Sequence, residues 1–287
     1  MDSKLITQSL GSGILAGSIY GVAAIGLALV FGVVKIVNFA HGVMLMAGMY
    51  AVWFLHDWTS IDPFVLALVA AAVGALVGFV LQLTLLDKLK SGGEHGPVLV
   101  TLGVALIFQA LAETFFTSNP RSLSSSYASA TITIGPGQFR VERFVAMGAA
   151  IVFTLGLQFV LRRTDLGRSI RAVAQDHTAA QLMGMNVSYM YAAAVALGTA
   201  AAFFAGGVSA PLLPITPYAG TPLLLMSFVA AVLGGLGNIR GAFVAGIVVG
   251  LVEGIGSLVF DGTLKTVAVF VLFVMVLLFR PEGLFRR

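Results

Sequence analysis

The chain has 287 residues, of which 59% are hydrophobic and 10% charged, with a net charge of +4. Its mean hydropathy is +1.01. Soluble domains carry about 25% charged residues, so a soluble enzyme is excluded, and one integrated membrane domain over residues 1–287 is the economical expectation. With no cysteine, disulfides, thiolate nucleophiles and cysteine metal sites are excluded as well, and the small positive charge makes no nucleic-acid patch.

In chain order, the first apolar stretch runs from about Gly11 to Val34, long enough to cross a hydrocarbon core of ~30 Å. Ahead of it Lys4 stands near Asp2 without the charged leader of a cleavable signal, so the stretch reads as a retained first span. Lys35 interrupts, and a second stretch runs from about Val37 to Leu55. The polar segment His56 to Asp62 closes it, with Trp53 and Trp58 suited to an interfacial belt. A third stretch runs from Pro63 to Leu86, followed by Asp87, Lys88, Lys90 and a glycine-rich turn; a fourth runs from Pro97 to about Phe116. The longest polar segment, Thr117 to Arg143, contains an alternating run and Gly135-Pro136-Gly137, the pattern of a loop with one short β-hairpin. A fifth span runs from Phe144 to Leu161 and leads into Arg162, Arg163, Arg168 and Arg171, the densest basic cluster. A sixth runs from about Tyr189 to Ala210, before the prolines 211, 214, 217 and 222 of a stiff loop. Leu223 to Phe279 holds two or three spans, broken near Gly234–Gly241 and Asp261–Lys265. The pattern predicts an all-α, polytopic transmembrane bundle of about eight spans, some broken or re-entrant.

Lysine and arginine bias orients such a bundle. Lys88 and Lys90, the Arg162–Arg171 cluster and the Arg280–Arg287 tail are expected on the cytoplasmic side. The Thr117–Arg143 loop then lies outside, although Arg121, Arg140 and Arg143 in it run against the bias. The N-terminus is outside if every stretch crosses, and inside if one is re-entrant.

Three polar interruptions carry chemical content. The segment Leu166–Asn186 is too polar to span but well built for helix. Asp176 can cap a short helix starting at His177, and Gly184 can end it in the left-handed conformation. Ile170, Val173 and Ala174 share a face of the turn before it. This is either an interfacial helix resting on headgroups or a docking helix for a cytoplasmic partner. The second interruption is Lys35-Ile36-Val37-Asn38-Phe39-Ala40-His41-Gly42, whose Lys, Asn and His are costly in lipid unless the helix is broken there and lines a cavity. A turn between two spans fits equally well. The third is Gly234–Gly246, around Asn238. Asn38 and Asn238 each precede a glycine-punctuated apolar run, a hint of related halves. Glu253 sits inside its span and Glu113 near the end of the fourth; each is a functional candidate or a hydrogen-bond acceptor within the bundle. Gln82, Gln109 and Gln158 read as interhelical glue. No G-x-x-x-x-G-K-[ST] loop, no H-E-x-x-H and no catalytic or metal-binding constellation occurs.

Four segments together resemble a known family: Val37-Asn38-Phe39-Ala40-His41-Gly42, Gly167-Arg168-Ser169-Ile170-Arg171-Ala172 through Leu182-Met183-Gly184, Gly234–Ala242, and Arg280-Pro281-Glu282-Gly283-Leu284-Phe285. Their order and spacing are similar to the smaller permease subunit of ATP-binding-cassette importers for branched-chain amino acids. The resemblance implies half of a transmembrane pore in a bacterial inner membrane, with a cytoplasmic C-terminus and no enzymatic activity of its own. It implies a second, homologous permease as partner, two cytoplasmic ATPases that bind the ATP, and a periplasmic binding protein. This chain would then hold no cofactor. Arg168, Arg171, Asp176, Thr178, Gln181 and Gly184 would belong to the coupling helix that docks on the ATPase, and Asn38, Phe39, His41, Gly42, Asn238 and Glu253 are the candidates for a substrate path. The implied cargo is a branched-chain or related hydrophobic amino acid. Urea, short amides or other amino acids in the same family, and a stand-alone secondary transporter using Glu253 or His41 for protons, are the alternatives.

Overall fold

The computed structural model describes residues 3–88, 96–260 and 264–285. Lys90 and the glycine-rich turn after it, Asp261, Arg286 and Arg287 lie outside them. The helices are α1 (Ser3–Val34), α2 (His41–Thr59), α3 (Pro63–Leu81), α4 (Gly96–Phe116), α5 (Val141–Arg163), α6 (Asp165–Gln175), α7 (His177–Leu182), α8 (Val187–Ser209), α9 (Gly220–Leu233), α10 (Ile239–Val259) and α11 (Lys265–Phe279). Six of them are long and apolar enough to cross a bilayer, and α9 and α11 are shorter apolar helices. The expected bundle of broken spans is present.

Local sequence explains the boundaries. Asp62 accepts from the Phe64 N–H at 2.9 Å and Pro63 follows it, so α3 starts with a capped first turn. At its far end α3 loosens into a π turn over Gln82–Leu86. There the Gln82 amide is fully buried and finds no hydrogen-bond partner among the described residues. The predicted hairpin forms as β1 (Thr131–Ile134) and β2 (Gly137–Arg140), antiparallel, with Ile134 opposite Gly137 and Thr131 opposite Arg140. Its buried Phe139 seats against Gly11 of α1. This end of the bundle is the hairpin end. The opposite end carries α6 and α7 and is the α7 end.

Two helices begin inside the bundle rather than at its surface. After α1 ends at Val34, Lys35 takes a left-handed turn (φ 58°) and the chain folds back. His41, the first residue of α2, bonds the Ala23 carbonyl of α1. Ala23 precedes Val34 by eleven residues, so α2 starts about 16 Å in from the α7 end, at a rise of ~1.5 Å per residue. At the other end, the proline-rich segment after α8 re-enters. Gly220, the first residue of α9, packs directly on Gly42, with its missing Cβ 1.9 Å from the Gly42 carbonyl. α2 and α9 thus meet end to end deep in the bundle and run apart, α2 to the hairpin end and α9 to the α7 end.

The packing repeats with reversed direction. α1 lies along α10, and α8 lies along α3; α9 packs on α1, and α2 packs on α8. Helices α1–α4 and α8–α11 are therefore two similar units of opposite polarity. The equivalences this sets differ from the one suggested by Asn38 and Asn238. Asn38 precedes α2, whose counterpart is α9, whereas Asn238 caps α10, whose counterpart is α3. The halves are related, but these two asparagines do not occupy matching places.

Close approach is made by glycine. Gly13, Gly17 and Gly21 of α1 face Gly250, Gly246 and Phe243 of α10, with backbone atoms where a side chain would stand. Gly48 of α2 meets the Phe203 backbone of α8, and Gly206 of α8 meets Leu45 of α2. Two apolar cores result, one around α2, α3 and α8 and one around α1, α9 and α10, and Tyr20, Phe153 and Phe243 pack against both. α4, α5 and α11 turn large apolar side chains outward, among them Leu106, Phe115, Val152, Phe159, Val274 and Leu278.

Candidate functional site

The segment between α5 and α8 forms a braced, exposed element at the α7 end. Thr164 caps α6 through the Gly167 N–H. α6 buries Gly167, Ile170 and Val173, and no side chain is possible at 167 because its Cβ would fall 2.3 Å from the Leu161 carbonyl. α6 is thus pinned to the end of α5. Asp176 caps α7, accepting from Thr178 N–H at 2.8 Å and Ala179 N–H at 3.0 Å. These two hydrogen bonds hold its carboxyl below the usual carboxylate range. Gly184 lies at φ +82°. Its N–H donates to Gln181 O (3.0 Å) and the Met185 N–H to Ala180 O (3.1 Å), the two bonds of a Schellman stop. Arg168 pairs with Asp165. Arg171, Thr178 and Gln181 point outward, and Leu182 and Met183 are 84% and 83% exposed. A short rigid helix with a bare apolar tip is set on a fixed base.

The broken segment before α2 satisfies its own backbone. Asn38, buried, accepts from the Ala40 N–H at 3.0 Å, and its carbonyl accepts from the His41 N–H. Thr101 Oγ1 of α4 accepts from the Phe39 N–H at 3.3 Å. His41, 1% exposed, holds the Ala23 carbonyl at 3.0 Å through Nε2, which requires the Nε2–H tautomer. These are the partners that non-helical backbone needs away from water. The cavity beside Asn38 is only about 20 Å³. Phe39 is exposed, and Gly42 gives α9 its seat.

Asn238 stands apart from Asn38, at the α7 end. Its Oδ1 caps α10 through the Gly241 N–H, and its Nδ2 donates to the Phe285 carbonyl at 2.9 Å. The Leu284 N–H donates to Leu233 O at 2.8 Å, and Gly283 (φ +89°) lies flat on Gly235. The C-terminal segment is tied onto the α9–α10 turn. Beside it is a cavity of about 320 Å³ lined by Gln158, Arg162, Arg171 and Arg240, with Arg240 Nε donating to Gln158 Oε1 at 3.3 Å.

Glu253 occupies a third place. A cavity of about 360 Å³ opens toward the hairpin end between α1, α10 and the segment after α8. Inside it Glu253 accepts from the Tyr20 hydroxyl at 2.8 Å and pairs with Lys265 at 2.9 Å. Arg143 of α5 lines the same cavity, half-buried and with no ion-pair or hydrogen-bond partner among the described residues. The six candidate path residues therefore fall into three groups: Asn38 to Gly42, Asn238, and Glu253.

The loops at the hairpin end are joined. Arg121 and Ile215 exchange backbone hydrogen bonds of 3.0 and 2.8 Å, linking the long polar loop to the proline-rich one. Arg121 also stacks on Trp53, 4.2 Å from the ring centre. Arg140 pairs with the buried Glu142, which accepts from Ser125 at 2.6 Å. Tyr127 bonds Asp62 at 2.8 Å, and burial together with that carboxylate pushes its phenol pKa up. Glu113 accepts from Tyr218.

Residues 9–279 match the family described as the permease component of branched-chain amino acid transport systems. The chain belongs to this permease family. It is similar to BraD, the high-affinity branched-chain amino acid transport system permease of Pseudomonas aeruginosa, with 31% identity over 98% of this chain and 95% of that one. LivH of Escherichia coli K12, a permease of the same description, is 29% identical over the same shares. FrcC of Rhizobium meliloti, a fructose import permease, is 32% identical over 62% of this chain and 51% of its own. No solved structure matches.

In this permease, sequence reasoning found Glu253 but not its companions. Tyr20 is 233 residues away in the chain, Arg143 read only as an outlier of the charge bias, and Lys265 as the edge of a break. The signal available was their sign: cations beside a span carrying an intramembrane carboxylate.

Proposed function

We propose that this permease carries branched-chain amino acids across a bacterial inner membrane as one subunit of an ATP-driven importer. The observation that carries the reading is the α6–α7 element. An apolar helix tip, capped at both ends and braced by Gly167 on α5, is suited to fit a groove in another protein. Its end of the bundle also carries the clustered arginines, which supports placing that end in the cytoplasm. Two ATPases docked there supply the energy, since this chain has no phosphate-binding loop. The joined loops at the hairpin end face the periplasm and receive a substrate-loaded binding protein. A homologous permease completes the pore against one of the outward apolar faces. The chain does no catalysis and holds no cofactor. The transported class follows from the names of BraD and LivH, each matched over 98% of this chain, against 62% for the fructose permease FrcC.

Coupling requires that the ATPases bind the two permease conformations with different affinity. The test is reconstitution of the chain in proteoliposomes with a homologous second permease, two ATPases and a binding protein from the same organism. Uptake of labelled leucine should require ATP and the loaded binding protein, and isoleucine and valine should compete where urea and fructose do not. Gradient-driven leucine uptake by this chain alone would sink the reading in favour of a secondary transporter.

A further inference from the structure

The cavity at the hairpin end contains more than transport architecture demands. Its walls carry two cations from different helices, Arg143 and Lys265, and one anion, Glu253. An ionised carboxylate inside a span is expensive and faces protein or water. Here it faces a water-accessible space and is held by Tyr20 and Lys265. Arg143 is the unmatched charge, half-buried with no partner among the described residues. The cavity therefore has a net charge of one cation, which one anion would balance. A half-buried guanidinium left unpaired costs free energy that a bound carboxylate would recover.

The remaining walls are apolar. Leu15 and Ile19 of α1, Leu212 and Leu213 after α8, and Leu223 of α9 form them, and Leu15, Ile19 and Leu223 are buried. At about 360 Å³ the space is at the small end of ligand pockets and too small for a lipid with its chains.

We propose that this cavity is a substrate site within the permease, and that it recognises an α-amino acid as a zwitterion with an apolar side chain. The carboxylate of the ligand lies on Arg143. Its ammonium joins Glu253, whose two oxygens stay on Tyr20 and Lys265 and keep a lone pair each for it. The charges then alternate in one row: guanidinium, carboxylate, ammonium, carboxylate, ammonium. The side chain lies on the leucines. Glu253 and Lys265 hold each other in the empty site, so neither is stranded when the ligand leaves. The proposal rests on the amino-acid permease reading and gives that reading a place in this chain.

The absence of native cysteine makes the test direct. Ser12 lines the cavity and becomes a single reporter as Ser12→Cys, in the assembled transporter purified in detergent without added lipid. Labelling of this chain by a water-soluble methanethiosulfonate is followed by mass, against increasing leucine, with leucine uptake measured on the same assembly in liposomes. Leucine should protect. 4-Methylpentanoate, lacking the ammonium, and 3-methylbutylamine, lacking the carboxylate, should each need at least a tenfold higher concentration. Arg143→Met should raise the half-protecting leucine concentration at least tenfold and Arg143→Lys should restore most of it; Glu253→Gln should weaken leucine while leaving 4-methylpentanoate no weaker. Should Arg143→Met fail to assemble, the Lys and Gln variants carry the test. No protection by leucine in an assembly that takes leucine up overturns the site and leaves the permease reading intact. Equal protection by all three compounds overturns the charge recognition. Protection without any uptake keeps the site and removes the transport reading.

Discussion

Replacing Gly184 by valine tests whether α7 couples the permease to an ATPase. Gly184 sits at φ +82°, and a Cβ there meets nothing within 4 Å. The substitution therefore acts through the backbone alone. A residue with a Cβ pays about 1–2 kcal/mol in the left-handed region, and a β-branched one sits at the upper end. Relaxing out of that region instead breaks the bonds to Gln181 O and Ala180 O, each worth about 0.5–1.5 kcal/mol. By either route the stop costs about 1–3 kcal/mol. α7 spans only His177–Leu182, too short to hold itself without its caps. If docking needs α7 ordered, that cost falls on the docked state and weakens it roughly 5- to 150-fold. The assay is recovery of the ATPase with tagged permease and ATP-driven leucine uptake, with bundle stability followed by thermal melting in detergent. Gly184→Val should lose ATPase and uptake with an unchanged melt, and Gly184→Asn, which tolerates the left-handed region, should lose little. Full assembly and uptake in Gly184→Val would refute the docking role.

Other expectations follow from particular contacts. Gly206→Ala places a Cβ 1.9 Å from the Leu45 carbonyl and should cost at least about 1–3 kcal/mol, seen as a lower melting temperature. Gly103→Ala, with no atom within 4 Å, should leave the melt unchanged or raise it. Gln82→Leu removes a buried amide with no partner among the described residues and should stabilise by about 1–2 kcal/mol; a lower melting temperature would show that the amide is satisfied in the working protein. Asp176, its pKa held below the ordinary 3.8 by the Thr178 and Ala179 N–H groups, should cap α7 fully above that value and release it only as pH falls below it through the lowered value. Hydrogen exchange at Thr178 and Ala179 at neutral pH should then quicken in Asp176→Ala and stay slow in Asp176→Asn.

What the sequence made legible was local. Asp176 and Gly184 bracket six residues and act through chemistry within three or four positions of themselves, so α7 could be drawn from composition. The hairpin and the proline stop after α8 were readable for the same reason. The depth at which α2 and α9 begin was not. It depends on His41 reaching Ala23 and on Gly42 meeting Gly220, pairs with no shared local pattern. The two halves were hinted at by a resemblance between Asn38 and Asn238, but inverted units have to be matched by packing partner, and that information is tertiary. The Tyr20–Glu253–Lys265 group was hidden for a related reason, since its members come from α1, α10 and α11.

The glycine contacts also sort the bundle mechanically. Where Gly13, Gly17 and Gly21 meet α10, backbone lies on backbone over several turns, and a slide of even one residue would drive side chains into the space. The α1–α10 pair is thus a strut, and α3–α8, its reversed counterpart, is a second one. Neither can shorten or shear. Motion is left to the joints between struts. One is the Gly42–Gly220 abutment, where two helix ends touch backbone to backbone with Leu224 and Met46 beside them. A tilt of one strut against the other would open or close the bundle there like a hinge pin, and α6, bolted to α5 by Gly167, is placed to pull on the assembly from one end.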